Sequence, residues 1–139
     1  MPRILAIDYG LKRTGLAVTD PLQIIATALE TVETRNLFNF LKEYIAKENV
    51  ETIVMGFPKN LDNTDTHTTQ VVKQKKVEIG KLFPDIKIVF EDERFTSKMA
   101  QATILQSGIN KKGRKDKGLV DKVSATIILQ SYMERTKGF

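Results

Sequence analysis

The stretch Ile4–Gly10 (ILAIDYG) decides the fold, because it is an apolar run that ends in a carboxylate and a glycine. The segment Lys12–Gly15 (KRTG) follows it closely and carries two basic residues. A charge at the exit of a hydrophobic strand is costly unless it has a partner. Asp8 therefore has two interpretations. It marks a metal or phosphate site, or it is a polar residue that closes the strand before a turn. Asp8 alone leaves both interpretations open.

Outward from this stretch, apolar runs and helical spacing predict the remaining elements. Residues 3–8 and 14–19 flank a short glycine-bounded turn, which predicts a hairpin. The alternation of strands and helices after it predicts an α/β fold with a mixed sheet, antiparallel at one side and parallel at the other, in a single domain over residues 1–139. We expect strands at 3–8, 14–19, 24–33, 51–57 and 86–90, and helices at 36–49, 66–83, 99–105 and 120–133.

Length and composition exclude several classes of protein. A chain of 139 residues has the usual size of one domain and can bury a core. It contains no cysteine, which excludes disulfides and thiolate metal sites. No apolar run approaches the roughly 18 residues of a membrane span, and the N-terminus does not resemble a signal peptide. We expect a soluble cytoplasmic protein with no membrane contact; the sequence indicates no oligomeric state.

The excess of positive charge is concentrated in one segment. The formal net charge is +5, and Lys111–Lys122 holds six basic residues against two acids. Its two glycines favour a solvated loop, and we expect residues 109–118 to be disordered without a ligand. Basic loops of this kind often contact polyanions, because each neutralised phosphate releases counterions. The segment predicts a nucleic-acid partner, with contacts from Lys111, Lys112, Arg114, Lys115 and Lys117.

Two further acidic positions could converge on Asp8. Ligands in open α/β sheets gather at the carboxyl ends of parallel strands. The fifth predicted strand runs into Glu91–Arg94 (EDER), whose three consecutive acids repel one another unless a cation offsets them. The alternative is a solvated turn before a helix that Thr96 or Ser97 caps.

Asp121 stands near the start of the last, apolar helix. Acids at helix starts usually act as caps that favour the helix dipole. Here the basic segment leads directly into the helix, which would bring Asp121 to the edge where Asp8 and Glu93 emerge. Three carboxylates without cysteine are hard oxygen ligands suited to Mg²⁺ or Mn²⁺. Beside a phosphate-binding loop they suggest phosphodiester hydrolysis assisted by two metal ions.

His67 is the only histidine, and it lies in a polar stretch without a strong base nearby. We expect an ordinary surface residue, so that Ser-His-Asp or zinc chemistry has little support. The pair Gly10 and Gly15 is not a dinucleotide fingerprint, because a hairpin rather than a helix follows the first strand.

Taken together, the motifs resemble the YqgF proteins, which are also described as RuvX, as Holliday-junction-resolvase-like proteins and as pre-16S rRNA nucleases, in the RNase H-like superfamily. Each motif is weak alone, but they occur in the expected order over residues 4–132. The motifs are Ile7–Gly10 (IDYG) with Lys12 and Gly15, Val54–Asp62 (VMGFPKNLD), Asp92–Ser97 (DERFTS), Lys117–Asp121 (KGLVD), Ser124–Ala125 and Ile127–Leu129.

The resemblance implies an RNase H-like fold with a five-stranded sheet in the order 3-2-1-4-5. It also implies a catalytic and metal-binding triad of Asp8, Glu93 and Asp121, with Asp92 supporting the site and no fixed residue type at Glu91. Related resolvases place an acid after the fourth strand, which this chain lacks, so Glu93 would have to reach in from the neighbouring strand. Nucleic-acid contacts are further expected from Lys12, Arg13, Lys59, Asn60 and Arg94.

The function that follows is a metal-dependent nuclease for structured nucleic acid, with the 5′ end of the pre-16S rRNA as the expected substrate. Branched DNA, such as a Holliday junction, is the alternative substrate. A non-catalytic RNA-binding factor is the alternative from another class. A sugar-kinase or actin-like phosphotransferase, which also opens with Asp-x-Gly after a strand, needs two such domains, and 139 residues do not supply both.

Overall fold

The sheet has five strands, as the sequence predicts. A computed structural model describes residues 2–57, 67–92 and 117–137, with the backbone alone for His67, residues 117–122 and Lys137. The strand order is β3-β2-β1-β4-β5, which confirms the predicted order. The strands are β1 (Arg3–Asp8), β2 (Arg13–Thr19), β3 (Ala26–Glu33), β4 (Val50–Phe57) and β5 (Lys87–Asp92). The helices are α1 (Leu37–Lys47), which follows a 3-10 turn at Thr34–Asn36, α2 (His67–Leu82) and α3 (Lys117–Lys137).

Strand β1 lies at the centre of the sheet and pairs on both sides. It is antiparallel to β2, where Asp8 lies opposite Gly15, and parallel to β4. Strand β4 is in turn parallel to β5, with Gly56 opposite Glu91. The carboxyl ends of β1, β4 and β5 therefore meet at one edge of the sheet, which we call the carboxyl edge. Side chains on β1 and β5 that share this edge can approach one another only if they also share a face.

The pleat of the sheet separates two cores. Leu5 and Ile7 of β1 pack in a cluster with residues of α1 and α2. Ile4 and Ala6 pack on the opposite face against α3. Because successive side chains of a strand point to opposite faces, the position of Asp8 belongs to the α3 face. The buried run before Asp8 thus fixes which helix the carboxylate meets.

Helix α3 is longer than the sequence predicts. It begins at Lys117 rather than near residue 120, so Lys117 and Gly118 are helical instead of belonging to the basic loop. It also continues past the last apolar position, where Thr136 donates a 2.8 Å hydrogen bond to the carbonyl of Tyr132 and prolongs the final turn. Within the described part of the chain, no helix is long and apolar enough to cross a membrane. The predicted helix at 99–105 and the rest of the basic loop lie outside the described residues.

Strand β3 begins two residues later than the sequence predicts, because a side chain captures the preceding backbone. The Asp20 carboxylate accepts hydrogen bonds from the amides of Ile24 and Ile25, both at 2.7 Å, and of Leu22 at 3.2 Å. The hydrogen bond from Ile25, with the others, lowers the pKa of Asp20. Gln23 takes a left-handed φ of 58° within this turn. The apolar residues Ile24 and Ile25 therefore belong to a rigid turn rather than to the strand.

The variant Asp20→Asn tests this turn through its pH dependence. The folded-state pKa of Asp20 lies below 3.8, so the carboxylate contributes its full stability above that pH and loses it as the pH falls through the folded value. We expect the variant to unfold at lower urea concentration than the wild type at pH 7. The two proteins should converge as the pH falls through the folded-state pKa of Asp20, where the carboxylate becomes protonated in both states.

The exposed Asp85→Asn variant is the charge-matched control for this comparison. Urea denaturation followed by circular dichroism at several pH values gives both curves. A difference between wild type and Asp20→Asn that stays constant down to pH 2 would contradict the role of the carboxylate charge.

Candidate functional site

Asp8 is the predicted site residue that the structure describes most fully. It is the last residue of β1 and is half-buried, whereas Ile4 to Ile7 before it are buried. Since Ile7 pairs with Met55 and Gly56 pairs with Glu91, the three positions Asp8, Gly56 and Glu91 form one row across the sheet. Gly56 contributes no side chain to this row.

Glu91 has a structural role that the sequence did not reveal. Its carboxylate is only 7% exposed and accepts hydrogen bonds from Ser131 Oγ at 2.6 Å and from Arg135 Nε at 3.1 Å, with a further bond from Arg135 Nη2. The bonds join the end of β5 to α3, and they assign Glu91 to the α3 face. Asp92, the next residue, then belongs to the α1–α2 face by strand alternation. The one signal of this role in the sequence was that the acid Glu91 alternates with apolar residues of a strand that faces a helix.

The loop between β1 and β2 is held by the 3-10 turn. Thr34 Oγ1 donates a 2.6 Å hydrogen bond to the Gly10 carbonyl, and the Thr34 amide donates to the Lys12 carbonyl at 2.9 Å. A Cβ atom on Gly10 would lie 2.3 Å from the Arg13 carbonyl oxygen, closer than any real contact. Only glycine therefore fits there, and the tight loop presents Lys12 and Arg13 directly after Asp8.

Lysines of α2 add positive charge near the carboxyl edge. Lys73 Nζ lies 5.7 Å from the ring centroid of Phe57, and Lys76 Nζ lies 5.4 Å from that of Phe90. The two rings stack with centroids 4.4 Å apart at the ends of β4 and β5. Cation–π contacts of this kind hold the ammonium groups over the rings at the ends of the two strands. The sequence analysis did not identify these lysines.

The remaining predicted site residues fall into two groups. Asp121 and Lys117 lie in α3, where the backbone alone is described. The others lie outside the described residues, so the structure does not bring the predicted triad together or separate it. Among the side chains that are described, no three acids or histidines are grouped as a metal site, and Asp8 is the one triad member in that set. Outside the described residues lie Glu93, Lys59, Asn60, Arg94, Lys111, Lys112, Arg114 and Lys115.

Comparison with known proteins identifies the family. A family model described as "RuvX: Holliday junction resolvase" matches residues 2–135. The chain belongs to the RuvX family. The family that the sequence motifs resemble is therefore confirmed, and it is a family of nucleases by its description.

Curated relatives match this RuvX-family chain over nearly its whole length. A protein of Flavobacterium johnsoniae is 52% identical over 133 residues, which are 96% of both chains. A protein of Porphyromonas gingivalis is 53% identical over 134 residues, covering 96% of this chain and 97% of its own. Both carry the name "Putative pre-16S rRNA nuclease".

Solved structures confirm the RNase H-like resolvase fold of this RuvX-family chain. The fowlpox virus resolvase, in a complex with Holliday junction DNA, superimposes with a TM-score of 0.60 at 15% identity and covers 96% of this chain and 97% of its own. RuvC of T. thermophilus, also in a complex with a Holliday junction, gives a TM-score of 0.60 at 14% identity. The match covers 97% of this chain and 96% of the RuvC chain. At such low identity the likeness concerns the fold alone.

The two glycines Gly10 and Gly80 make a matched pair for testing the loop. Gly10→Ala places a methyl group against backbone, and we expect it to destabilise the protein by about 1–3 kcal/mol. Gly80 lies inside α2, and Gly80→Ala places its methyl group 3.8 Å from Cδ1 of Ile88 in β5, which is an ordinary van der Waals contact. It should leave stability unchanged or raise it by up to about 1 kcal/mol. Thermal unfolding measures both, and equal effects would contradict the close approach at Gly10.

The Glu91–Arg135 pair is tested by a double-mutant cycle with Glu91→Gln and Arg135→Met. Because Glu91 is buried, we expect a coupling energy of about 1–2 kcal/mol in the free energy of unfolding. The exposed pair Glu33–Arg35, with side chains 57% and 80% exposed, is the control. Its cycle should give less than about 1 kcal/mol. A coupling at Glu91–Arg135 no larger than the control would remove its role as a tether.

Proposed function

We propose that this RuvX-family chain is a divalent-metal-dependent endonuclease whose catalytic, metal-binding carboxylates are Asp8, Glu93 and Asp121. The observation that carries the proposal is the position of Asp8. It is half-buried at the carboxyl edge, on the face covered by the helix that contains Asp121. A carboxylate in this position, at the edge of an α/β sheet where ligands gather, is suited to bind a cation.

The direction of α3 supports a role for Asp121. Residues Gln130 and Met133 of α3 lie beside Ile24–Ala26, at the edge of the sheet from which β1 starts. Asp121 precedes Tyr132 by about 16 Å along the helix axis. This is close to the roughly 13 Å that separate Ile4 from Asp8 along β1. The start of α3 is therefore within reach of the carboxyl edge.

The alternation of β5 supports Glu93 over Asp92. Glu91 is bonded to α3, so odd positions of this strand belong to the face that Asp8 shares. Glu93, like Glu91, has an odd-numbered position, whereas Asp92 has an even-numbered one. We therefore propose Glu93 as the ligand from β5, while Asp92 supports the strand end. Glu91 is not proposed as a ligand, because Ser131 and Arg135 already donate hydrogen bonds to its oxygens.

The donor set fits Mg²⁺ or Mn²⁺. Carboxylate oxygens are the ligands these ions prefer, and the chain has no cysteine and one histidine to favour a softer metal. Bound ions, two in the proposed site, would supply charge stabilisation at the scissile phosphate and a water of lowered pKa. The half-buried setting of Asp8 limits water access and so strengthens these electrostatic interactions.

Basic residues around the edge would hold the nucleic-acid backbone. Lys12 and Arg13 sit on the tight loop directly after Asp8, where they can contact phosphates that flank the scissile one. The proposed contacts extend to the basic segment before α3 and to the loop after β4. They comprise Lys12, Arg13, Lys59, Asn60, Arg94, Lys111, Lys112, Arg114, Lys115 and Lys117.

We infer that the substrate is the pre-16S rRNA, cut at its 5′ end, because close relatives are named for that precursor. The protein would then act in the cytoplasm. Branched DNA is the second candidate, favoured by the family description as a Holliday junction resolvase. A non-catalytic RNA-binding factor, in which the basic residues alone function, is the remaining candidate.

Cleavage of a labelled pre-16S leader RNA with and without Mg²⁺ or Mn²⁺ tests the proposal. We expect Asp8→Asn, Glu93→Gln and Asp121→Asn to lower the cleavage rate by at least about 100-fold, the order of loss when transition-state stabilisation of this kind is removed. Binding of the RNA should be kept. The exposed Asp85→Asn variant is the control and should cleave at the wild-type rate.

The outcomes separate the candidates. Equal cleavage by wild type and Asp8→Asn would refute the triad. If the wild type and the variants all bind the leader RNA or a four-way DNA junction but none of them cleaves it, the binding factor is favoured. A loss with Asp92→Asn as large as that with Glu93→Gln would contradict the assignment of the ligand from β5.

A further inference from the structure

A recess of about 300 Å³ opens next to the loop that follows Asp8. Its described walls include Tyr9 and Leu11 from that loop, Arg35 from the 3-10 turn, Phe38 from the start of α1, and Lys75 from α2. None of these residues belongs to the proposed triad or to its predicted phosphate contacts. The volume is at the lower end of the range for small-ligand pockets.

The recess combines an aromatic floor with a cationic rim. Tyr9 and Phe38 are half-buried and pack against the core cluster of the α1–α2 face, which holds their rings in place. Lys75 Nζ lies 5.3 Å from the ring centroid of Phe38. The Arg35 side chain is 80% exposed at the rim. Fixed aromatic rings beside cations are the combination with which proteins stack unpaired bases and bind the adjoining phosphates.

Two acids neutralise part of this charge in the free protein. Glu33 lies 2.6 Å from Arg35 Nε, and Glu78 lies 3.0 Å from Lys75 Nζ. The Glu33–Arg35 pair is exposed and contributes little free energy, so a phosphate can replace the Glu33 carboxylate at small cost. A second recess, which shares Leu11 and Arg35 with the first, also includes Lys12 and Arg13. The cations therefore outnumber the acids along a continuous path from the loop to α2.

The recess lies on the other side of the carboxyl edge from the triad. Tyr9 directly follows Asp8, so their Cα atoms are about 3.8 Å apart. The Tyr9 ring packs on the α1–α2 face, whereas the position of Asp8 belongs to the α3 face. A nucleic-acid strand held at Asp8 that crosses the edge of the sheet would thus enter the recess close to the scissile phosphate.

We propose that this recess binds an unpaired nucleobase of the substrate strand, stacked on Phe38 and Tyr9, with the adjoining phosphates on Arg35 and Lys75. The inference rests on the proposed function in taking nucleic acid as the ligand. It adds a base-binding site that selects single-stranded or distorted segments next to the cleavage point. A continuous duplex cannot offer an unstacked base without paying to open its helix.

The test is binding in EDTA, where cleavage cannot contribute. The probe is a fluorescein-labelled single-stranded 12-mer RNA, compared with the same 12-mer carrying abasic sites and with its duplex. We expect the intact single strand to bind the wild type about tenfold more tightly than the abasic strand, in line with the loss of one stacked base. Phe38→Leu should reduce this difference in affinity, because only Tyr9 then remains to stack the base.

Removal of the rim charges gives an independent readout that does not depend on folding of the core. Arg35→Gln with Lys75→Gln should weaken binding of the 12-mer and lower the salt-dependence slope of log Kd by about 1.4, as two phosphate contacts to a single strand are lost. The control is Lys47→Gln with Lys81→Gln, which removes the same charge from the ends of α1 and α2. It should change the slope by less than half that amount. Melting curves confirm that each variant is folded.

Two results would overturn the inference. One is equal binding of intact and abasic strands by the wild type, since no base would then be recognised. The other is an equal loss of affinity in the rim variant and its control, which would indicate general charge attraction. If either result is found but the protein cleaves RNA, the proposed function stands and only the base-binding site is lost. If both binding tests succeed but the protein does not cleave, only the proposed nuclease activity is lost.

Discussion

The pleat of β1 is the constraint on which the rest of the structure depends. Its buried residues alternate between two helical layers, so each side chain is assigned to one layer. The alternation places Asp8 with α3 and Tyr9 with α1 and α2. A shift of one residue in the pairing of β1 would exchange the faces of Asp8 and Tyr9 and bury the carboxylate in the core beside α1 and α2. The many apolar contacts that hold this register therefore also determine what chemistry the edge can perform.

The carboxyl edge has two sides with different chemistry. On the α3 side, Asp8 faces the helix that carries Asp121, and Glu91 ties that helix to β5. On the α1–α2 side, lysines of α2 lie over aromatic rings at the ends of β4 and β5. The proposed metal-binding carboxylate Asp8 and the lysines of α2 therefore lie on opposite faces of the sheet.

Much of the fold was predictable from local sequence. The apolar runs at Ile4–Ile7 and Ile53–Met55 are short and bounded by turn residues, which indicates buried strands, and the structure confirms them. The start of β3 was wrong by two residues, because the Asp20 carboxylate takes amides that would otherwise join the sheet. The start of α3 was wrong because Lys117 and Gly118 continue the basic, glycine-containing segment, whose composition is typical of a loop.

The candidate site was predictable only in part. The position of Asp8 at the end of a buried strand was predictable and is confirmed, while its role as a ligand stays a prediction. The role of Glu91 could not be predicted, since its partners Ser131 and Arg135 are 40 and 44 residues away and become neighbours only in the folded chain. Glu93 and Asp121 remain predictions from the motifs.

A crystal structure of the protein soaked in MnCl₂, with anomalous diffraction data, tests the central claim most directly. The account predicts an anomalous peak about 2.0–2.2 Å from an Asp8 carboxylate oxygen, with oxygens of Glu93 and Asp121 completing the site. Soaked crystals of Asp8→Asn should lack the peak. Manganese bound elsewhere, with Asp8 satisfied by a basic side chain, would contradict the account.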